Sequence, residues 1–329
     1  MEIFDRDTFN MNVSVRRLIA SHGHRQLSES DVLIFHCPFD LAFLDYADKP
    51  SILYEHRAGR PTTFMFNEIM RLVEPIKRAV LIQDRPWVNS KLKELYERAD
   101  VIIVNSKFIK RTLKRYFGVD SFVVYPPVDL KRFRPTCTNP KRSYFLSVQR
   151  IDWQKRITMQ IDAFKGLDKK FKLKIVGGSE NHPNPDLVKY TFSHPKGTYD
   201  LVDSENIEVL GGVEEKDLPR LYTHAIATIQ TGYKEDFGLV PIESMACGTP
   251  VICVDEGGFK ETVHSPALGV RIKPPYVQNL RKTVETFDNS NYDQAFLRKE
   301  AEKYSLERFE NEMRKYVKLA VERHALRRR

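Results

Sequence analysis

Two carboxylates, Glu235 and Glu243, lie eight positions apart, separated by Phe237-Gly238-Leu239 and the start of a short apolar-periodic stretch over 240–247. Gly248 and Pro250 close that stretch, so the order reads loop, helix N-terminus, helix, strand. A glycine at the mouth of a helix lets a ligand reach the first free backbone N–H groups, and those donors together with the helix dipole favour a phosphate. The carboxylates are acceptors and cannot bind phosphate themselves, but they suit pairs of hydroxyls. A hydroxylated group on each side of a diphosphate satisfies all three features, and such a ligand is a nucleotide sugar. Acids at a helix start also stabilise the helix unaided, which is the competing account of the same residues.

Cations for the diphosphate lie upstream. Arg150 and Lys155, five positions apart, follow the strand-like run 143–148. An arginine fork and a lysine point charge together neutralise a pyrophosphate well. Two histidines, His36 and His56, each end a buried-strand pattern, and ligands of parallel sheets gather at the carboxyl ends of strands.

The elements that must position these residues alternate. Strand patterns over 31–36, 49–56, 99–106 and 121–125 are interleaved with helical patterns over 67–78, 86–98 and a helix from the capping Ser106 to Phe117-Gly118. This is the rhythm of βαβ units and a mostly parallel sheet. The proline-rich, basic stretch 126–140 interrupts it and marks a domain boundary. Strands over 143–148, 171–176, 207–210 and 225–230, with helices over 157–166 and 217–224, then repeat the architecture, and helices over 277–287, 293–304 and 306–324 end the chain.

The run Glu235-Asp236-Phe237-Gly238-Leu239-Val240-Pro241-Ile242-Glu243-Ser244-Met245-Ala246-Cys247-Gly248-Thr249-Pro250-Val251-Ile252 closely resembles the signature of the family 4 retaining glycosyltransferases. Their pattern is Glu, seven residues, Glu, then Ala/Ser-Met-Ala-x-Gly-x-Pro-Val. Further matches are Asn105-Ser106-Lys107-Phe108, Tyr125-Pro126-Pro127-Val128-Asp129 through Phe133, Ser147 through Arg156, Val209-Leu210-Gly211-Gly212-Val213 and Gly257-Gly258-Phe259-Lys260-Glu261-Thr262-Val263. From about Asp31 onward the chain follows the family.

The resemblance implies an α/β protein of GT-B fold, with two Rossmann-like domains whose parallel sheets face across a cleft. Expected divisions are 1–135 on the acceptor side, 136–304 binding the nucleotide sugar, and 305–329 packing back on the first domain. It implies Arg150 and Lys155 on the departing diphosphate, Glu235 on the sugar, Glu243 on the ribose, and His56 near the reacting sugar, with His36 on the acceptor side. Phe237, Gly238, Leu239 and Val240 would line the donor, and Gly212 and Val213 the base. The implied reaction is metal-independent transfer with retention. The motifs resemble most those of mannosyltransferases of O-antigen and lipid-linked glycan pathways, so GDP-mannose is the expected donor and a UDP-sugar the alternative. The acceptor would be a saccharide or a lipid-linked one. A non-catalytic partner subunit that binds a nucleotide sugar is a second class of reading, against which the presence of all four charged residues argues.

Other features bound the answer. At 329 residues, 41% hydrophobic and 29% charged, the chain suits two soluble domains. No apolar run is long enough to span a bilayer and residues 1–10 lack a signal-peptide core, so a cytosolic protein is expected. Cys37, Cys137, Cys247 and Cys253 show no metal or disulfide spacing and are expected to be buried thiols. The formal charge of +9, without a nucleic-acid-binding motif, suggests peripheral contact with anionic membrane and no nucleic acid; a solvated basic face explains it equally well. Asp5-Arg6-Asp7 forms an Asp-x-Asp triplet of the kind that holds a metal in the GT-A fold, but no strand precedes it and no metal is expected. Residues 1–30 lack the opening strand and Gly-Gly loop that the family normally carries.

Overall fold

A computed structural model describes residues 31–36, 44, 48–56, 93–151, 153–177 and 204–328. The triplet Asp5-Arg6-Asp7, the pattern over 67–78, the first part of that over 86–98, Cys37 and most of the insertion at 179–206 lie outside these residues.

The chain forms two compact units, one comprising Met1–Tyr125 with Glu310–Arg329 and the other Pro126–Phe309. In the first, strands β1 (Leu33–Phe35), β2 (Ser51–Glu55), β3 (Val101–Val104) and β4 (Phe122–Val123) form a parallel sheet in that order. Every residue of β2 and β3 is buried, the mark of strands covered on both faces. Helix α1 (Lys107–Phe117) follows β3. The Ser106 side chain caps it by accepting from the Ile109 amide, and Gly118 at φ 69° closes it in the left-handed conformation. Its buried face, Ile109, Leu113 and Phe117, recurs at helical spacing and joins Leu53, Tyr96, Ile102 and Val104 in one core.

The last helix, α8, runs Leu306–Arg327. From Glu310 on it belongs to the first unit, with Tyr316 packed on Phe122 at 4.8 Å between ring centroids. Its basic end converges on Asp100, which is 3% exposed. The Asp100 carboxylate accepts from the Ser51 amide (2.9 Å) and hydroxyl (3.0 Å) and faces Arg327 at 3.3 Å and His324 at 3.5 Å. Arg323 donates to the Asp100 carbonyl and Arg327 to those of Arg98 and Ala99. Replacing Asp100 by alanine leaves the carbonyls that Arg323 and Arg327 meet, but removes the carboxylate facing Arg327 and His324 and leaves the buried Ser51 amide and hydroxyl without their acceptor. A loss of about 1 to 3 kcal/mol in unfolding free energy is expected from denaturant titration.

Among its described residues the second unit carries six parallel strands. They are β5 (Tyr144–Val148), β6 (Leu173–Val176), β7 (Ile207–Gly211), β8 (Ala225–Gln230), β9 (Val251–Val254) and β10 (Gly269–Ile272), in the spatial order β10-β9-β8-β5-β6-β7. The chain starts at β5, builds outward through β6 and β7, then returns to the other side of β5 with β8. The order therefore reverses between β5 and β8, the place where open α/β sheets bind ligands. Helices α2 (Ile157–Lys165), α3 (Leu218–Thr223), α4 (Leu239–Ala246), α5 (Phe259–Thr262) and α6 (Val277–Thr286) follow β5, β7, β8, β9 and β10, and α7 (Gln294–Glu302) comes after α6. The core joins Phe145, Ile161, Phe164, Ile175, Ile229 and Leu280.

Strand β10 was not expected from the sequence. Its first residue, Gly269, sits at φ 149° with its α-carbon so close to β9 that a β-carbon would fall 1.8 Å from the Val251 carbonyl oxygen. Cys247 and Cys253 are buried as expected, and burial pushes the Cys247 thiol up to about 12. Cys137 departs from expectation and is exposed.

Candidate functional site

Three loops meet at the carboxyl ends of the adjacent strands β5, β8 and β9, and all belong to the second unit. The loop after β5 carries Arg150 and, in a 3-10 turn over Trp153–Lys155, Lys155. The loop after β8 carries Thr231 through Gly238, and the loop after β9 carries Asp255 through Gly258. Lys155 reaches Glu235: its ammonium nitrogen donates to Glu235 Oε2 at 2.7 Å, with the side chains 17% and 25% exposed. The proposed diphosphate cation and the proposed sugar-binding acid are thus neighbours at the switch point.

Backbone contacts hold this pair in place. The Thr231 hydroxyl donates to the Lys155 carbonyl (2.7 Å) while accepting from the Gln160 amide side chain (2.8 Å), and the Tyr233 amide donates to the Gln154 carbonyl (2.7 Å). Arg156, at φ 50°, sends both terminal nitrogens to Glu256 Oε1 at 3.3 Å, and its guanidinium lies 4.9 Å from the centre of the Tyr233 ring. The loops after β5, β8 and β9 are therefore cross-tied by side chains that the sequence did not single out. An added β-carbon would meet backbone at Gly258 and at Gly257, which also has φ 54°, and only the movable end of the Glu235 side chain at Gly232. A β-carbon on Gly232 would sit 2.8 Å from Glu235 Oε2, one on Gly257 2.3 Å from the Glu235 carbonyl oxygen, and one on Gly258 2.5 Å from the Phe237 α-carbon.

Helix α4 starts at Gly238, which has φ 95° and provides no side-chain cap. The amides of its first turn, from Leu239 and Val240, are therefore without a side-chain acceptor at that end, as an anion site requires. Leu239 is 40% exposed beside it. Phe237 is 3% exposed and its ring packs on Tyr304 at 5.7 Å, so its side chain serves the fold and only its backbone is placed to meet a ligand. Gly212 is exposed and Val213 half-buried at the end of β7, and Arg150 is exposed.

Glu243 lies one turn into α4, half-buried, and accepts a 2.7 Å hydrogen bond from the hydroxyl of Tyr222 on α3. Burial raises its carboxyl above the ordinary range, and the Tyr222 hydrogen bond opposes that shift. Burial, and then the neighbouring Glu243, pushes the Tyr222 phenol well up, so it remains a donor. A raised carboxyl means that the ionised form is disfavoured by folding: the cost is absent below the unfolded value and fully present once pH exceeds the folded one. Glu243→Gln is therefore expected to melt at or above the wild type near pH 8, with that advantage shrinking as pH falls toward 4.5. A pH series of melting curves checks this.

The histidines belong to the first unit. His36 follows β1 and His56 follows β2; Nδ1 of His36 and Nε2 of His56 share a 3.0 Å hydrogen bond, and Tyr54 packs on His56 at 4.4 Å. Asn105 donates to the His56 carbonyl at 3.1 Å. The sequence placed both at strand ends, and the register of β1 on β2 brings them together.

Tyr222 is the functional candidate that the sequence missed. It sits in a short helix whose pattern reads as core, and no spacing rule links it to Glu243.

The family described as "Glycosyl transferases group 1" matches residues 131–304, and "Glycosyltransferase Family 4" matches residues 4–132. Among characterised proteins, the chain is 28% identical over 208 residues to alpha-1,3/1,6-mannosyltransferase ALG2 of Saccharomyces cerevisiae, covering 52% of this chain and 41% of that one. It is 23% identical to the GDP-Man:Man(3)GlcNAc(2)-PP-Dol alpha-1,2-mannosyltransferase of Dictyostelium discoideum, covering 77% and 50%. It is 27% identical to the D-inositol 3-phosphate glycosyltransferase of Salinispora tropica, covering 57% and 44%. The chain thus spans 41% to 50% of the length of these relatives. Among solved structures, HepE of Anabaena in complex with UDP-glucose superposes with a TM-score of 0.72 at 18% identity, covering 92% of this chain and 82% of that one. Two parallel α/β units and this likeness make the fold GT-B. With its match extending over more than half of the sequence, the chain belongs to the glycosyl transferases group 1 family.

Proposed function

We propose that this chain is a retaining glycosyltransferase that moves mannose from GDP-mannose to a saccharide or lipid-linked acceptor without a metal. The observation that carries the reading is the meeting of Lys155 and Glu235 at the β5/β8 switch point, with Glu243 and the uncapped start of α4 in the same loop and helix. Lys155 and Arg150 would draw off the charge that builds on the diphosphate as the glycosidic bond breaks, with the α4 amides adding dipoles. Glu243 would accept from the ribose hydroxyls. Glu235 would accept from the sugar hydroxyls and ease positive charge at the ring. His56 would contribute contacts to the transition state. In this chemistry the leaving phosphate takes the acceptor's proton, so no separate base is required.

Mannose as the sugar is supported by the names of two relatives, and GDP as the carrier by one of them. The occurrence of UDP-glucose in a protein of the same fold keeps a UDP-sugar as the second reading. Among the described residues no helix is long and apolar enough to cross a membrane. Peripheral contact with an anionic leaflet is part of the proposal, and five basic residues on α1, Lys107, Lys110, Arg111, Lys114 and Arg115, offer it a face.

The test is a thermal-shift comparison of GDP and UDP, since a ligand bound to the folded state alone raises the melting point. GDP at saturating concentration is expected to raise it by several degrees and UDP by less. The reverse order would move the reading to a UDP-sugar, and no shift with either would remove the donor site.

A further inference from the structure

Tyr222 is 0% exposed, and its position is fixed from three sides. The Thr249 hydroxyl donates to its carbonyl at 2.7 Å, the Phe133 ring meets its ring edge-on at 6.0 Å, and its hydroxyl donates to Glu243 Oε2 at 2.7 Å. The buried phenol therefore presents its donor to the carboxylate from a fixed side. Every oxygen site on an ionised carboxylate accepts, whereas a protonated one must donate from one oxygen and so cannot receive two hydroxyls in the same way.

We propose that Tyr222 is the positioning residue of the nucleotide site: it keeps the Glu243 carboxylate ionised and holds one of its oxygens, leaving the remaining acceptor sites to the ribose diol. This rests on the assignment of Glu243 to the ribose. The charged and titratable groups around Glu243 are few. Tyr222 comes from α3, Glu215 from the segment after β7, Arg132 from the segment before β5, and Cys247 from the C-cap of α4. Glu215 disfavours the ionised form and Arg132 favours it, but Arg132 is ion-paired to Glu215 and lies 3.7 Å from Asp129. The hydroxyl of Tyr222 is thus the donor in direct contact with this carboxylate among the described residues.

The experiment measures dissociation constants of GDP and 2′-deoxy-GDP from pH 5 to pH 9 for four proteins: wild type, Tyr222→Phe, Glu243→Gln and the double variant. Losing a hydrogen bond to a charged acceptor should move the acid limb of GDP affinity upward by roughly one to two pH units in Tyr222→Phe. Below the new limb affinity falls about tenfold per unit, and near pH 9 it returns to within about twofold of the wild type. In the Glu243→Gln background the same change should have little further effect, and the preference for GDP over its 2′-deoxy form should shrink in both single variants. An unmoved acid limb in Tyr222→Phe, with affinity lost in Glu243→Gln, overturns the role of Tyr222 and leaves the ribose assignment standing. Unchanged GDP affinity in Glu243→Gln overturns the ribose assignment itself.

A second variant guards against misfolding of the first. Replacing Tyr222 by 3-fluorotyrosine keeps the shape and strengthens the phenol as a donor, so the acid limb should move down instead of up. Movement upward, or none, contradicts the proposal.

Discussion

Lys155→Ala is expected to lower the release of GDP from GDP-mannose by roughly 10²- to 10³-fold in turnover, while GDP affinity falls far less. In the bound donor the diphosphate charge is shared with the sugar bond, and it grows on the leaving oxygen as that bond breaks, so a cation fixed beside it acts mainly on the transition state. Lys155 is fixed: it is 17% exposed, paired with Glu235, and its own carbonyl is held by Thr231. Lys155→Arg should recover part of the rate, since it restores charge but not the compact point geometry. Equal losses in turnover and affinity would assign Lys155 to ground-state binding only. Steady-state and binding measurements on the same preparation decide between these.

The second large effect concerns a residue with no functional group. Gly258→Ala places a β-carbon 2.5 Å from the Phe237 α-carbon, 2.6 Å from its carbonyl oxygen and 2.8 Å from that of Asp236. All three are backbone atoms, which cannot rotate away as a side chain can. Gly258 has an ordinary φ of −70°, so the penalty is steric and not conformational. Either α5 or the segment Glu235–Phe237 must shift, and that segment also accepts the Gly258 amide at 2.7 Å. A loss of about 1 to 3 kcal/mol in stability is expected, together with a fall in donor affinity, because the Glu235 carboxylate moves with its backbone. Gly212→Ala is the control: nothing lies within 4 Å of its added carbon, and its melting point should remain near that of the wild type.

Much of this was legible in the sequence because the information was local. The Ser106 cap and Gly118 terminus of α1, the strands at β2, β3, β5 and β8, and the start of α4 at Gly238 follow from composition and period, and the structure places them within a residue or two. The strand expected over 121–125 is shorter, Phe122–Val123, since little more than Ile103 and Val104 pairs with it. What was not legible depends on approach between distant segments. Strand β10 owes its pairing to Gly269 lying against Val251, and its four residues, with an arginine among them, carry too little pattern to announce a strand. The pairing of Lys155 with Glu235, 80 positions apart, and of Tyr222 with Glu243 are products of the strand order. The sequence grouped Lys155, Glu235 and Glu243 around one ligand, but the direct contact of Lys155 with Glu235 depends on strand order and was not legible in it.

In the proposed function a nucleoside diphosphate sugar binds at the carboxyl ends of β5 and β8. A crystal structure with GDP tests it most directly. The ribose should lie against Glu243, with the diphosphate between Lys155 and the first amides of α4. GDP bound anywhere else on the protein, with Lys155 and Glu235 still paired and Glu243 untouched, would contradict it.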